Sequence, residues 1–229
     1  MSIRALLFDF DGLILDTETP IWHSWEELFA SQGGRLEFAD FAGTVGTLSS
    51  EDDFFTLLEG QIGHPLERQT LSAQRWQREA ALIQAQPVLP GVVDYLQDAR
   101  RLELRVGLAS SSSCAWVTGH LQRLRLADFF NSILASDDVR RVKPDPELYL
   151  AVLRTLNVQP GEALVLEDSP PGIQAARGAG LFCVAVPNTL TRQLSLEAAD
   201  MRLESLAELS LEALLERVEA QENGRRGVR

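Results

Sequence analysis

Four places along the chain end an apolar run in residues able to do chemistry. Asp9 and Asp11 follow the run 4–8, separated by one residue and backed by Gly12. Ser110 and Ser111 follow the run 104–109, LRVGLA. Lys143 stands before Pro144, and Glu167 and Asp168 close the run 163–166, ALVL. Four carboxylates brought together repel one another and raise each other's pKa. A hard cation relieves that repulsion, and an all-oxygen donor set selects Mg²⁺ over softer metals. A lone acid after a strand is more simply a cap for the following helix. Acids at two strand ends, joined by a serine tract and a Lys-Pro pair, point to a site.

For these residues to meet, the runs must be neighbouring strands of one sheet. The runs 4–8, 104–109, 132–135, 163–166 and 181–186 read as buried strands, apolar throughout and stopping abruptly. Helical patterns at 92–102, 116–124, 146–156 and 172–178 lie between them. This alternation predicts an α/β fold with a doubly wound parallel sheet, whose ligands bind beyond the carboxyl ends of the strands. Residues 17–88 break the alternation. They contain helical patterns at 22–31, 52–61 and 72–84 and no convincing strand, too much for one crossover, and read as an inserted α-helical domain. The core is then 1–16 and 89–220. Residues 201–203 read as a short edge strand, 206–218 as a last helix and 221–229 as a frayed, flexible tail.

The composition is that of a globular protein. The chain has 229 residues, 45% hydrophobic and 24% charged, so fibrous and disordered classes are excluded. A net charge of −12 argues against nucleic acid or an anionic membrane as a partner. No apolar run approaches the roughly 18 residues of a membrane span. The opening MSIRALLFDFDGLILD carries early acids and no small-residue cleavage site, and is not read as a signal peptide. Two cysteines, with no CxxC, argue against structural zinc and disulfides and for a reducing cytoplasm. A monomer is the expected state.

The segments together resemble the motif set of the haloacid dehalogenase-like superfamily. DFDGLILDT at 9–17 resembles its first motif, LASSS at 108–112 its second, KPDPELY at 143–149 its third and LEDSPPGIQAARGAG at 166–180 its fourth. The resemblance spans about 3–205, and the helical insertion sits where the family places its cap. It is closest to the β-phosphoglucomutase-like branch of phosphatases and mutases. The resemblance implies Asp9 as nucleophile and Asp11 as general acid/base, with its backbone carbonyl on Mg²⁺. It implies Asp168 as a direct metal ligand and Glu167 as one acting through water or in support. Lys143 would bridge Asp9 and a phosphate oxygen, and Ser110 and Ser111 would hold the other oxygens. The aspartate at position 11 favours phosphoryl transfer over dehalogenation.

The inserted helices are expected to select the substrate, a small phosphorylated metabolite. The mutases of this branch carry a histidine where Ile21 stands and an arginine where Ser50 stands. His23 falls about 200° round a helix from that histidine's place and should point elsewhere. Glu51, Asp52 and Asp53 read as favourable first-turn charges. Glu18 and Arg75 are the cap residues placed with the substrate, and Trp22, Trp25 and Trp76 read as cap core. The leading reading is a Mg²⁺-dependent phosphatase acting on a sugar or polyol phosphate. The second is a phosphohexomutase, and the third a non-catalytic ligand-binding protein on the same scaffold.

Overall fold

The computed structural model describes residues 3–46 and 50–227. Six parallel strands form one sheet: β1 (Ala5–Phe8), β2 (Arg105–Ala109), β3 (Ser132–Leu134), β4 (Ala163–Glu167), β5 (Phe182–Ala185) and β6 (Met201–Arg202). Their order is β3-β2-β1-β4-β5-β6, with the direction of travel reversing at β1. Phe8 pairs with Leu108 on one side and Leu166 on the other. That register brings Asp9, Ser110 and the Glu167-Asp168 pair to one edge, because all three strands end at the same level.

Successive side chains point to opposite faces of the sheet, and both faces are covered. Leu6, Phe8, Val106, Leu108, Leu164 and Leu166 face one apolar cluster, beneath α5 (Val92–Arg101), α6 (Cys114–Leu124) and α9 (Leu211–Gly227). Ala5, Leu7, Ala163, Val165 and Cys183 face the other, beneath α7 (Glu147–Leu156) and α8 (Pro170–Gly178). Burial on both sides explains why these strands read as continuous apolar runs.

Between β1 and α5 lie four helices: α1 (Glu18–Ser31), α2 (Phe38–Phe41), α3 (Glu51–Ile62) and α4 (Arg68–Gln84). They hold a third apolar cluster, including Trp25, Phe29, Phe41, Phe54, Phe55 and Leu58, with Trp25 stacked on Phe54 at 4.6 Å. The two chain segments joining this layer to the sheet lie side by side: Leu15 bridges Val88, and the Leu89 amide donates to the Ile14 carbonyl at 3.0 Å. As expected, Glu51, Asp52 and Asp53 occupy the first turn of α3, where Ser50 caps the helix by accepting from the Asp52 amide.

Several expectations change. Helices α1 and α4 begin at Glu18 and Arg68, each ahead of the start its apolar pattern predicts, and α9 begins at Leu211, later than predicted. The short α2 has no counterpart in the pattern, since four residues carry too little periodicity. The stretch expected as a tail, 221–229, is helical in its described part: α9 continues to Gly227, and Gln221 Nε2 donates to the Asp200 carbonyl. Residues 228 and 229 of that expected tail lie outside the described residues. Among the described residues no helix is long and apolar enough to cross a membrane.

Candidate active site

Asp9 is buried just past the end of β1, its backbone amide bonded to the Leu166 carbonyl at 3.1 Å. Its carboxylate meets the ammonium of Lys143, itself buried, which also donates to Glu167 Oε1 at 2.6 Å. Burial pulls the lysine towards neutrality, but the Asp9 and Glu167 carboxylates outweigh it and hold the ammonium charged. Glu167 has no exposed surface. Its Oε1 accepts from Lys143 and from Tyr149 Oη, the latter at 2.6 Å. Its Oε2 accepts from the amides of Asp168 and Ser169 and from Ser169 Oγ. The start of α8 passes close beneath it: a Cβ on Gly172 would stand 1.9 Å from Glu167 Oε1. Glu167 therefore acts as a buried brace for Lys143 and the following turn.

Asp168 is also buried. Its Oδ2 accepts from Asn188 Nδ2 at 2.9 Å, and the same amide donates to the Gly12 carbonyl at 3.2 Å. Its Oδ1 has no hydrogen-bond partner. Gly12 has φ +86°, and a Cβ there would lie 2.2 Å from Asp168 Oδ2, so glycine is required on both counts. Oxygens of Asp9, Glu167 and Asp168 lie within 4.8 Å of one another. Burial, followed by the Asp9 and Glu167 charges, raises Asp168 well above the usual carboxylate range. Burial likewise raises Asp9, against the pull of Lys143. Three carboxylates against one ammonium, with an orphaned buried oxygen among them, fit a divalent cation held by oxygen ligands.

Asp11 faces a cavity of about 330 Å³ lined by Asp9, Glu18, Ile21, Ser111, Trp116 and Lys143, among others. Its Oδ1 accepts from Thr17 Oγ1 at 3.1 Å and Trp116 Nε1 at 2.9 Å. Its Oδ2 accepts from Ser112 Oγ at 2.7 Å and Ser110 Oγ at 3.3 Å. Ser111 Oγ is buried beside them with no partner, an open donor at the cavity wall.

Of the cap residues placed with the substrate, Glu18 reaches the cavity and Arg75 does not. Arg75 is buried inside the helical layer, its guanidinium 4.3 Å from the Trp25 ring and 4.6 Å from the Trp76 ring. It pairs with Glu51 and Glu79 and donates to Ser24 Oγ at 3.1 Å. The carboxylates of α3 and α4 pair its two terminal nitrogens, while its Nε has no partner, and the charge stays with the helices. Trp25 is cap core as expected, whereas Trp76 is 53% exposed. His23 is exposed and pairs with Glu26.

Glu18 is buried, accepts from the Gly46 amide at 3.3 Å, and is pushed up from 4.5 to about 7, first by burial and then by the Asp11 charge. A carboxyl raised on folding contributes stability below its unfolded pKa that is lost as pH rises through the folded one. The shift corresponds to roughly 3 kcal/mol at most. Glu18→Gln should therefore match the parent chain in metal-free urea unfolding at pH 4 and exceed it by about 1–3 kcal/mol at pH 8. A difference that does not change with pH would contradict the burial of an ionisable Glu18.

Sequence reasoning does not reach Thr17, Ser112, Trp116, Tyr149 or Asn188 as site residues. Asn188 carries a usable signal: it follows β5 at the same edge as the other strand ends of the site. Ser112 lies inside the serine tract that marks the end of β2. Tyr149 closes the segment KPDPELY, whereas Trp116, on a helix, carries no comparable mark.

Residues 6–186 match the family described as haloacid dehalogenase-like hydrolase. The chain belongs to the haloacid dehalogenase-like hydrolase family. Among the members it resembles is the Bacillus subtilis protein named "Putative phosphatase YhcW", 45% identical over 96% of this chain and 99% of that one. A Thermotoga maritima member named phosphorylated carbohydrates phosphatase is 30% identical over 78% of this chain and 82% of that one. The crystal structure of CbbY from Rhodobacter sphaeroides in complex with phosphate superposes with a TM-score of 0.69 at 32% identity, covering 90% of this chain and 96% of that one. The sheet order, the inserted helices and the acidic strand ends described above are thus those of a haloacid dehalogenase-like hydrolase.

Proposed function

We propose that this hydrolase cleaves a small phosphomonoester, a sugar or polyol phosphate, through an aspartyl-phosphate on Asp9. The observation that carries the reading is the meeting of Asp9, Asp11 and Lys143 at one cavity, each held by named partners. A carboxylate oxygen of Asp9 attacks phosphorus as the bond to the leaving oxygen breaks, and Asp11 delivers a proton to that oxygen. Asp11 then takes a proton from water, which attacks the acyl phosphate and regenerates Asp9. Lys143 holds the Asp9 carboxylate in place and offsets charge on the phosphate. The Ser110 hydroxyl and the unpartnered Ser111 hydroxyl are placed to bind phosphate oxygens.

The carboxylates of Asp9 and Asp168 and the backbone carbonyl of Asp11 would hold Mg²⁺, with Glu167 in support. Bound there, the ion would neutralise charge between the attacking carboxylate and the phosphate dianion. The unpartnered Asp168 Oδ1 supports this ligand set.

Residues 17–88 act as a cap over a core of 1–16 and 89–220, and Glu18 and Ile21 face the substrate from the cap. The only cationic side chain lining the cavity among the described residues is Lys143, already bonded to two carboxylates. Such a cavity suits a substrate with one phosphate and an uncharged remainder. Ile21 and the helix-capping Ser50 stand where the mutases hold histidine and arginine, which favours hydrolysis over isomerisation. The residues lining the cavity all come from one chain, which supports the expected monomer. An exposed free Cys114 suits a reducing cytoplasm.

The test is phosphate release from a panel of small phosphate esters in the presence of Mg²⁺. Release from sugar or polyol monophosphates is expected, with poorer turnover of bisphosphates. Faster formation of glucose 6-phosphate than of inorganic phosphate from β-glucose 1-phosphate, with glucose 1,6-bisphosphate as primer, would overturn hydrolysis in favour of a mutase.

A further inference from the structure

The four donors around Asp11 are not alike. Three are hydroxyls, from Thr17, Ser110 and Ser112, which can rotate to donate or accept. The fourth, Trp116 Nε1, donates only. It reaches Oδ1 at 2.9 Å from the first turn of α6, across 105 residues of sequence. That indole is well fixed. Ser113 caps the helix by accepting from the Trp116 backbone amide. His120, one turn on, packs against the indole with centroids 4.4 Å apart and planes at 71°. His120 in turn lies 6.2 Å from the ring of Phe10, the residue between the two aspartates. A Trp–His–Phe ladder thus ties α6 to the turn that carries Asp9 and Asp11.

We propose that Trp116 is a positioning residue for acid–base catalysis, its indole N–H holding Asp11 Oδ1 so that Oδ2 is the oxygen turned to the leaving group. Oδ2 is the oxygen beside Ser110 and Ser112, at the cavity wall where the phosphate is expected. When the Oδ2–H bond breaks, its proton goes to the leaving oxygen, whose bond to phosphorus breaks as Asp9 forms a new one. Oδ1 cannot exchange roles with Oδ2 without losing the bond to a donor that has no acceptor capacity. The assignment rests on the phosphatase reading above, with Asp11 as the acid.

A residue that only fills space affects all esters alike, whereas one that positions the acid matters most for leaving groups that need a proton. Phenyl and p-nitrophenyl phosphate have nearly the same shape, and p-nitrophenolate departs near neutral pH with little need of protonation. Their kcat/KM values report the steps through the first phosphoryl transfer. Trp116→Phe keeps an aromatic ring and removes the N–H. It should raise the ratio of kcat/KM for p-nitrophenyl over phenyl phosphate by roughly tenfold, a fraction of the 10²–10⁴-fold that general acid catalysis supplies. Its Mg²⁺ dependence should match that of the parent chain. An unchanged ratio overturns the proposal, whether both rates fall together or neither falls. Should Trp116→Phe fail to fold, the indole N–H resonances of ¹⁵N-labelled parent chain and Asp11→Ala decide. One must move upfield when the carboxylate is removed, and a spectrum without that change removes the contact on which the proposal stands. A parent chain that releases phosphate from no ester, aryl, sugar or polyol, yet shows the indole–Asp11 contact by NMR, overturns the phosphatase reading first and this assignment with it.

Discussion

Asp9→Asn is expected to lower kcat by at least about 10³-fold on every ester the parent chain hydrolyses. An amide oxygen is a far weaker nucleophile than a carboxylate, and no neighbouring side chain replaces it. Glu167 has both oxygens bonded within the fold, and Asp168 is held by Asn188. The variant should fold. The substituted amide keeps an oxygen that can accept from Lys143, and one charge leaves a buried cluster with an excess of acids. Without metal, its unfolding midpoint should equal or exceed that of the parent chain. Acid-quenched parent protein should carry label from a ³²P-labelled ester, and the variant should carry none. Retention of more than a per cent or so of the parent rate would rule out Asp9 as the nucleophile.

Lys143→Met should damage both activity and fold. Lys143 is the buried cation that meets Asp9 and Glu167 together. Removing it leaves those two carboxylates buried without a counter-charge, which typically costs about 3–5 kcal/mol. The penalty has a definite pH dependence. Without the ammonium, the folded-state pKa of Asp9 rises further above its unfolded value. Its contribution is then lost as pH increases, so the destabilisation measured by urea unfolding should be larger at pH 8 than at pH 5. Activity should fall by about 10²–10⁴-fold, because the nucleophile loses its orienting partner and the phosphate a neighbouring charge. Lys143→Arg should not restore it, since a planar guanidinium does not fit a buried site shaped for an ammonium. A Lys143→Met protein of parental stability and substantial turnover would place the lysine outside the machinery.

Glu167 shows how a residue type can be legible while its task is not. Its place at the end of an apolar run marks it as part of the site. Whether it meets a metal, a water or a lysine depends on what packs beneath it. Gly172 and Tyr149 decide that, by leaving room for a side chain turned inwards and capped by a hydroxyl. Arg75 makes the same point on α4. That helix carries charged residues on several faces, so periodicity alone does not say which cation turns inwards. The carboxylates of Glu51 and Glu79 and the rings of Trp25 and Trp76 draw Arg75 into the helical layer and away from the cavity.

Local pattern alone determined the strands, because a strand buried on both faces must be apolar along its length and can turn polar only where it leaves the sheet. It determined the inserted helices, because no crossover needs a helical stretch as long as 17–88. It also determined Asp9, Asp11, Glu167 and Asp168 as one group, because parallel strands in register end together; Lys143, well past the end of β3, joined them only through the motif set that the chain resembles. Tertiary structure alone decided the company these residues keep. Trp116 meets Asp11 across 105 residues of sequence, and Asn188 joins Asp168 to Gly12 across the switch in sheet direction. Such contacts depend on the distance between elements packed in three dimensions, and a one-dimensional pattern of apolar and polar residues carries no such distance.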